Sequence, residues 1–277
     1  MKQTLNFSLM DKLREECPLV HNMTNYVTVN DCANALLAIG GSPIMSDDEA
    51  ECADITGISR ALVMNIGTLN QRTIASMIKS GKKANETGIP VVFDPVGAGA
   101  SSLRNETTKD ILSQVKIAII RGNLSELSYI AGLSVSTKGV DVAEEDMNHD
   151  AVAVAKKVAK MYETVVAITG KDDVVTDGDT VFVLSNGVSL LSKVTGTGCM
   201  TSAMLGAFAA VACENKDYDY VDAAALAISS MSIAGEISFE KYGQTGTGSF
   251  HIGIIDALSN MTANILQEKC KINIVRE

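Results

Sequence analysis

"IPVVFDPVGAG", residues 89–99, is a short apolar run that breaks at an aspartate and passes into a turn rich in Pro and Gly. The same pattern recurs in "ALVMNIG" (61–67), "KIAIIRGN" (116–123) and "ETVVAITG" (163–170). Each run is nearly continuous in apolar residues, as expected of a strand covered on both faces of a parallel sheet. Between them, "NQRTIASMIKSGKKANETG" and "SLRNETTKDILSQV" place apolar residues at three- and four-residue steps, which predicts surface helices. Strand and helix in alternation predict an α/β fold with a mostly parallel central sheet flanked by helices.

Working outward, "DDVVTDGDTVFVLSN" (172–186) predicts a hairpin turning at Asp177-Gly178, which adds antiparallel strands at the sheet edge. Beyond Gly198 the chain reads as helical almost to its end, in segments rich in Ala, Ser, Met and Ile with few charges. Such helices are mostly buried. The polar stretch 136–150 reads as a solvated connection. There is no linker rich in Pro, Gly or Ser and no internal repeat, so residues 1–277 read as one domain.

Composition narrows the function classes. Hydrophobic residues make up 46% of the 277, with 4% aromatic and no Trp, so the core is built from aliphatic side chains and twelve Met. A formal charge of -10 excludes the clustered Lys and Arg of a nucleic-acid footprint, and any anionic ligand must be held locally. No uninterrupted apolar run reaches the ~18 residues of a membrane span, and the first residues carry acids where a signal peptide would be apolar. The chain is expected to be cytosolic. Six scattered cysteines without a CxxC pair, and three His, fit neither a zinc site nor a disulfide framework.

In an open α/β sheet, function collects at the carboxyl ends of the strands. Polar residues stand at four of these ends: Asp94, the stretch "RGNLSE" (121–126), Thr169-Gly170-Lys171, and the turn Gly196 to Cys199. The last precedes a helix, and its backbone N–H groups, including those of Thr197 and Gly198, suit an anion such as phosphate. It has neither the Lys of a Walker loop nor the GxGxxG of a dinucleotide fold. Asp94 and Glu126 are candidates to hold Mg²⁺ with the help of substrate phosphates, or else a helix cap and a surface charge. Arg121 and Thr169 offer a guanidinium and a hydroxyl to phosphate oxygens. The segment from Pro18 to Glu51 gathers Asn22, Asn25, Asn30 and Asn34 and ends in "GGSPIMS" with Met45, residues that suit a small, flat, partly apolar ligand or plain core filling. A second glycine turn, "GQTGTGSFHIG" (243–253), reads as a helix start with Ser249 as N-cap.

"HNMTNYVTVNDCANALLAIGGSPIMSDDEAE", "FDPVGAGAS", "IRGNLSE", "AITGKDDVV" and "VTGTGCMTSA" occur in this order, and together they resemble the hydroxyethylthiazole kinases of thiamine salvage. The resemblance spans nearly the whole chain. It implies a ribokinase-like three-layer fold and transfer of phosphate from ATP, with Mg²⁺, to the primary alcohol of 4-methyl-5-(2-hydroxyethyl)thiazole. It also implies a homotrimer with active sites at subunit interfaces. Met45 and Gly196 are expected at the thiazole, with Asn25 in the same pocket; Arg121 and Thr169, with Thr197 and Gly198, are expected at ATP. Asp94 and Glu126, with Asn123 in the "NxxE" pattern, are expected to organise magnesium. Ribokinase-like enzymes in general read Gly-x-Gly-Asp where this chain reads Gly196-Thr197-Gly198-Cys199, and Cys is what the thiazole kinases show. A helix amino terminus favours an ionised thiol. Cys199 is therefore the candidate to orient the alcohol and accept its proton. Two readings stay open beside this one: a kinase of another small alcohol, and a non-catalytic nucleotide-binding protein.

Overall fold

The computed structural model describes residues 4–133 and 144–275, with side chains for all of these except 144–150. Among the described residues, nine strands form one sheet. They are Leu19–Met23 (β1), Ser42–Ile44 (β2), Ala61–Asn65 (β3), Val91–Asp94 (β4), Ile119–Gly122 (β5), Val165–Ile168 (β6), Asp173–Thr176 (β7), Val181–Leu184 (β8) and Ile272–Val275 (β9). Their order is β2-β1-β3-β4-β5-β6-β7-β8-β9. The first six are mutually parallel, and β7, β8 and β9 add antiparallel pairings.

The helices are Leu9–Glu16 (α1), Val29–Ile39 (α2), Cys52–Ile58 (α3), Gln71–Thr87 (α4), Ser102–Gln114 (α5), Leu124–Ile130 (α6), Glu144–Tyr162 (α7), Thr197–Glu214 (α8), Tyr220–Tyr242 (α9), Thr247–Ser259 (α10) and Ala263–Lys269 (α11). Strand alternation sorts the core into two layers. Ala61 and Val63 of β3 join α8 and α9 on one face, while Leu62 and Met64 join Met77 of α4 and Val158 of α7 on the other. The result is three layers, helices on both sides of a mostly parallel sheet with an antiparallel edge.

Four points differ from the sequence expectations. The predicted hairpin is present, but it is not the edge: after the helices that run to Lys269, an unforeseen strand, β9, pairs outside it. β1 and β2 lie in the segment read only for its Asn and Met residues. Residues 144–150 open α7 instead of belonging to a solvated connection, and 136–143 lie outside the described residues. Ser249 does not cap α10: the N-cap is Gly246, without a side-chain hydrogen bond, and the helix packs on α9 and α2.

α8 and α9 are long and apolar enough to cross a membrane by composition, yet 72% and 89% of their apolar windows are buried inside the protein. They are core helices. Gly206 makes this possible for α8, since a Cβ there would stand 2.5 Å from Val63 Cγ2 and 2.7 Å from Val20 Cγ1. The helix thus lies directly on β1 and β3, with its amino end over the carboxyl ends of the parallel strands.

Candidate active site

Side chains from β3, β4 and β5 meet the start of α8 there. Register places Asn65 opposite Asp94 at the ends of β3 and β4, and Asn65 Nδ2 donates to Asp94 Oδ2 at 2.8 Å. The same oxygen accepts from Ser202 Oγ, one turn into α8, at 2.7 Å. Arg121 Nη1 lies 3.6 Å from it, and Arg121 Nη2 donates to Thr169 Oγ1 at 2.6 Å. Complete burial pushes the Asp94 carboxyl up to about 6, against the lowering effect of the Arg121 charge and the two hydrogen bonds.

The turn before α8 is shaped by what lies beneath it. Gly196 is the N-cap, at φ 88, and no side chain caps the helix. A Cβ at Gly196 would stand 2.6 Å from Thr28 Cγ2, and one at Gly198 the same distance from Arg121 Nη1. Glycine is thus required at 196 by both conformation and space. The Arg121 guanidinium sits against the first turn of a helix whose N–H groups already favour an anion.

Cys199, in that first turn, receives two amide donors, Asn25 Nδ2 at 3.2 Å and Asn65 Nδ2 at 3.4 Å. Asn25 Nδ2 also donates to Asn65 Oδ1 at 3.1 Å, and Thr28 Oγ1 donates to Asn25 Oδ1 at 3.1 Å. A continuous hydrogen-bonded chain therefore joins Thr28, Asn25, Cys199, Asn65 and Asp94.

Two cavities adjoin this chain. One, of about 610 Å³, is lined by Arg121, Thr169, Gly170, Thr197 and Gly198 at one end and by Leu191 and Met231 at the other. Its floor holds Asp173, whose burial pushes its carboxyl up to about 7, although Gly170 N–H donates to it and Arg121 lies nearby. The second, of about 350 Å³, contains Met45 together with Asn22, Tyr26, Asn65 and Met77. Asn65 thus borders the second cavity while touching Cys199 and Asp94.

Most of the sequence-predicted residues converge here. Asn25, Asp94, Arg121, Thr169, Gly196, Thr197, Gly198 and Cys199 form one cluster, and Met45 stands in the cavity that Asn65 joins to it. Glu126 is placed differently. Its carboxylate accepts from Asn123 N–H and Gly97 N–H, each at 2.8 Å, and Asn123 in turn caps Glu126 N–H in a capping box. It lines a separate cavity with Gly97 to Ala100. Glu126 thus fixes the "PVGAG" turn as well as carrying charge near Asp94, whose carboxyl it pushes up.

Among the described residues no group of three or more His, Cys, Asp or Glu is arranged to hold a metal. Magnesium needs less from a protein when phosphates supply other ligands. Asp94 Oδ1 is buried without a hydrogen-bond partner, a carboxylate oxygen left over at the strand ends, and the donor set fits such a cation. Asn65 and Asp173 were missed by the sequence reading. Asn65 ends a strand beside the one that ends in Asp94, which is the signal that could have found it.

A model of the hydroxyethylthiazole kinase family matches residues 10–264. The chain belongs to the hydroxyethylthiazole kinase family. The hydroxyethylthiazole kinase of Clostridium beijerinckii is 59% identical over 268 residues, covering 96% of this chain and 95% of its own. The solved structure of a hydroxyethylthiazole kinase protein from Pyrococcus horikoshii OT3 is 37% identical, covers 98% of both chains and superposes with a TM-score of 0.87. A ribokinase-like superfamily protein from Enterococcus faecalis V583 shares the fold at a TM-score of 0.65 and 7% identity. The chain is therefore a ribokinase-like kinase of the hydroxyethylthiazole kinase family.

Proposed function

We propose that the chain, acting as a single domain, transfers the γ-phosphoryl group of ATP to the primary hydroxyl of 4-methyl-5-(2-hydroxyethyl)thiazole, giving the thiazole phosphate used in thiamine salvage. The observation that carries this is the Asn25–Cys199–Asn65–Asp94 chain running between the two cavities. ATP occupies the larger cavity, its phosphates toward Arg121, Thr169 and the N–H groups of Thr197 and Gly198. The thiazole occupies the smaller one against Met45, with Asn25 and Gly196 beside its hydroxyethyl arm.

Transfer of this kind passes through a loose transition state, so positioning and charge stabilisation supply most of the acceleration. The alcohol oxygen bonds to the γ-phosphorus as the bond to the β,γ-bridging oxygen breaks, and ADP leaves. Cys199 orients the hydroxyl and accepts its proton, while Asn25 and Asn65 hold the sulfur in place. Arg121 stabilises charge on the transferring group. Asp94, with Glu126 behind it, would hold Mg²⁺, which when bound neutralises charge on the β- and γ-phosphates.

The active unit is a cytosolic homotrimer with sites at its interfaces. Tyr26 and Val27 are 77% and 59% exposed beside the thiazole cavity, and Leu37 and Ile252 on the neighbouring α2 and α10 are 58% and 66% exposed. Exposed apolar side chains on the helices beside a binding cavity support a partner subunit that covers them.

The test is a kinase assay on purified protein with ATP, the thiazole alcohol and a panel of other small alcohols, with and without Mg²⁺. Formation of the thiazole phosphate, lost on chelation and restored by Mg²⁺, is expected. ATP-dependent product from another alcohol but not from the thiazole alcohol would overturn the substrate, and ATP binding without transfer to any alcohol would overturn catalysis.

A further inference from the structure

His21 is fully buried in β1, immediately before Asn22, and both of its ring nitrogens are engaged. Nε2 lies 2.7 Å from the backbone oxygen of Ser46, and Nδ1 lies 2.9 Å from Thr56 Oγ1 in α3. A carbonyl oxygen only accepts, so Nε2 carries the proton. Burial pulls the ring below the usual histidine range and keeps it neutral. In the neutral ring Nδ1 can only accept, and the Thr56 hydroxyl that faces it also donates to Cys52 O at 2.8 Å, so its one proton serves Nδ1 and Cys52 O in turn.

The imidazole thus ties α3 to the peptide that follows Met45. The rest of that loop is held from outside: Ser46 Oγ donates to Glu51 at 2.6 Å, and Arg72 pairs with Asp47 at 3.0 Å where both side chains are half exposed. Exposed pairs of that kind contribute little. The β1–β2 pairing carries the chain as far as Ile44, and beyond it the link through His21 is the buried one that fixes where the loop enters the cavity, which Met45, Ser46 and Asp47 all line.

We propose that His21 is a positioning residue for the acceptor alcohol, setting the place of Met45 through the Ser46 carbonyl. The inference rests on the thiazole reading of that cavity, and it predicts an effect on one substrate only. His21→Asn is too short to reach the carbonyl, while His21→Gln keeps an N–H donor at about the reach of Nε2.

His21→Asn is expected to raise KM for the thiazole alcohol about fivefold, the scale of one net hydrogen bond, with KM for ATP unchanged and kcat within about twofold. His21→Gln restores most of the acceptor KM. An unchanged acceptor KM in His21→Asn, or both KM values rising together, overturns the proposal, as does equal behaviour of the two variants. A second readout is independent of the substrate. In ligand-free protein carrying ¹³C-methyl methionine, with the Met45 signal assigned by Met45→Leu, the Met45 resonance is expected to move in His21→Asn and to return in His21→Gln. If the wild type fails to phosphorylate the thiazole alcohol, the functional reading falls while the methyl signal still decides the role of His21. An unmoved Met45 signal overturns it.

Discussion

Gly198 lies over Arg121 so closely that a Cβ would stand 2.6 Å from Nη1 of the guanidinium. Arg121 cannot retreat without giving up Thr169, its 2.6 Å partner. Gly198→Ala is therefore expected to displace Arg121 from the end of the larger cavity proposed to take the phosphates. An overpacking cost of about 1–3 kcal/mol, if it falls wholly on nucleotide binding, corresponds to roughly 5- to 150-fold in KM for ATP. The acceptor KM should change less. Steady-state kinetics with each substrate varied in turn checks the asymmetry.

Cys199 is where two amide donors converge, which suits a sulfur that accepts a proton during turnover. Cys199→Ala is expected to lower kcat by ~10²–10⁴-fold, the range of a general base, with both KM values near those of the wild type. Cys199→Ser keeps a group that orients the alcohol and should fall between the two. If the serine variant keeps the wild-type kcat, Cys199 positions the alcohol without acting as its base.

Asp173 gives a pH dependence of stability with a definite sign. Its folded-state value of about 7 lies above the unfolded 3.8, so between these values the native state binds more protons than the unfolded chain. Its contribution is fully present below about 3.8 and is lost as pH rises through about 7. Asp173→Asn keeps an acceptor for Gly170 N–H and removes the titration. The melting temperature of the variant, relative to the wild type, should therefore climb between pH 5 and 8. A constant difference across that range would contradict the assignment.

Ile252 lies on α10 and is 66% exposed, on the surface assigned to the partner subunit. Ile252→Arg is expected to shift sedimentation from trimer to monomer and to abolish most activity without changing the circular dichroism spectrum. A fully active monomer would break the link between assembly and catalysis.

The four interior runs at 61–67, 89–99, 116–123 and 163–170 were legible as strands because burial on both faces writes a continuous apolar signature. β1, "LVHNM", was not, since His21 and Asn22 interrupt the run for reasons of the site and its surroundings. β2 has three residues, too few to show a period, and β9 alternates half-buried with exposed positions at the edge. In the site, Asp94, Arg121 and Thr169 were legible because each ends a recognisable strand. Asn65 was hidden within such a run, and its partners lie 40, 29 and 134 residues away in the chain. Glu126 was read by its charge, whereas its capping box makes it equally a residue of local folding.

The seat of α8 on Val20 and Val63, where Gly206 leaves no room for even one carbon, ties the helix that carries Cys199 to the stability of the sheet beneath it. The amide hydrogens of its buried middle, from Met200 to Ala212, are expected to exchange only through large-scale opening of the fold. Cys199 stands two turns from Gly206 on the same helix, so the thiol is held by the frame that carries the sheet rather than by a loop.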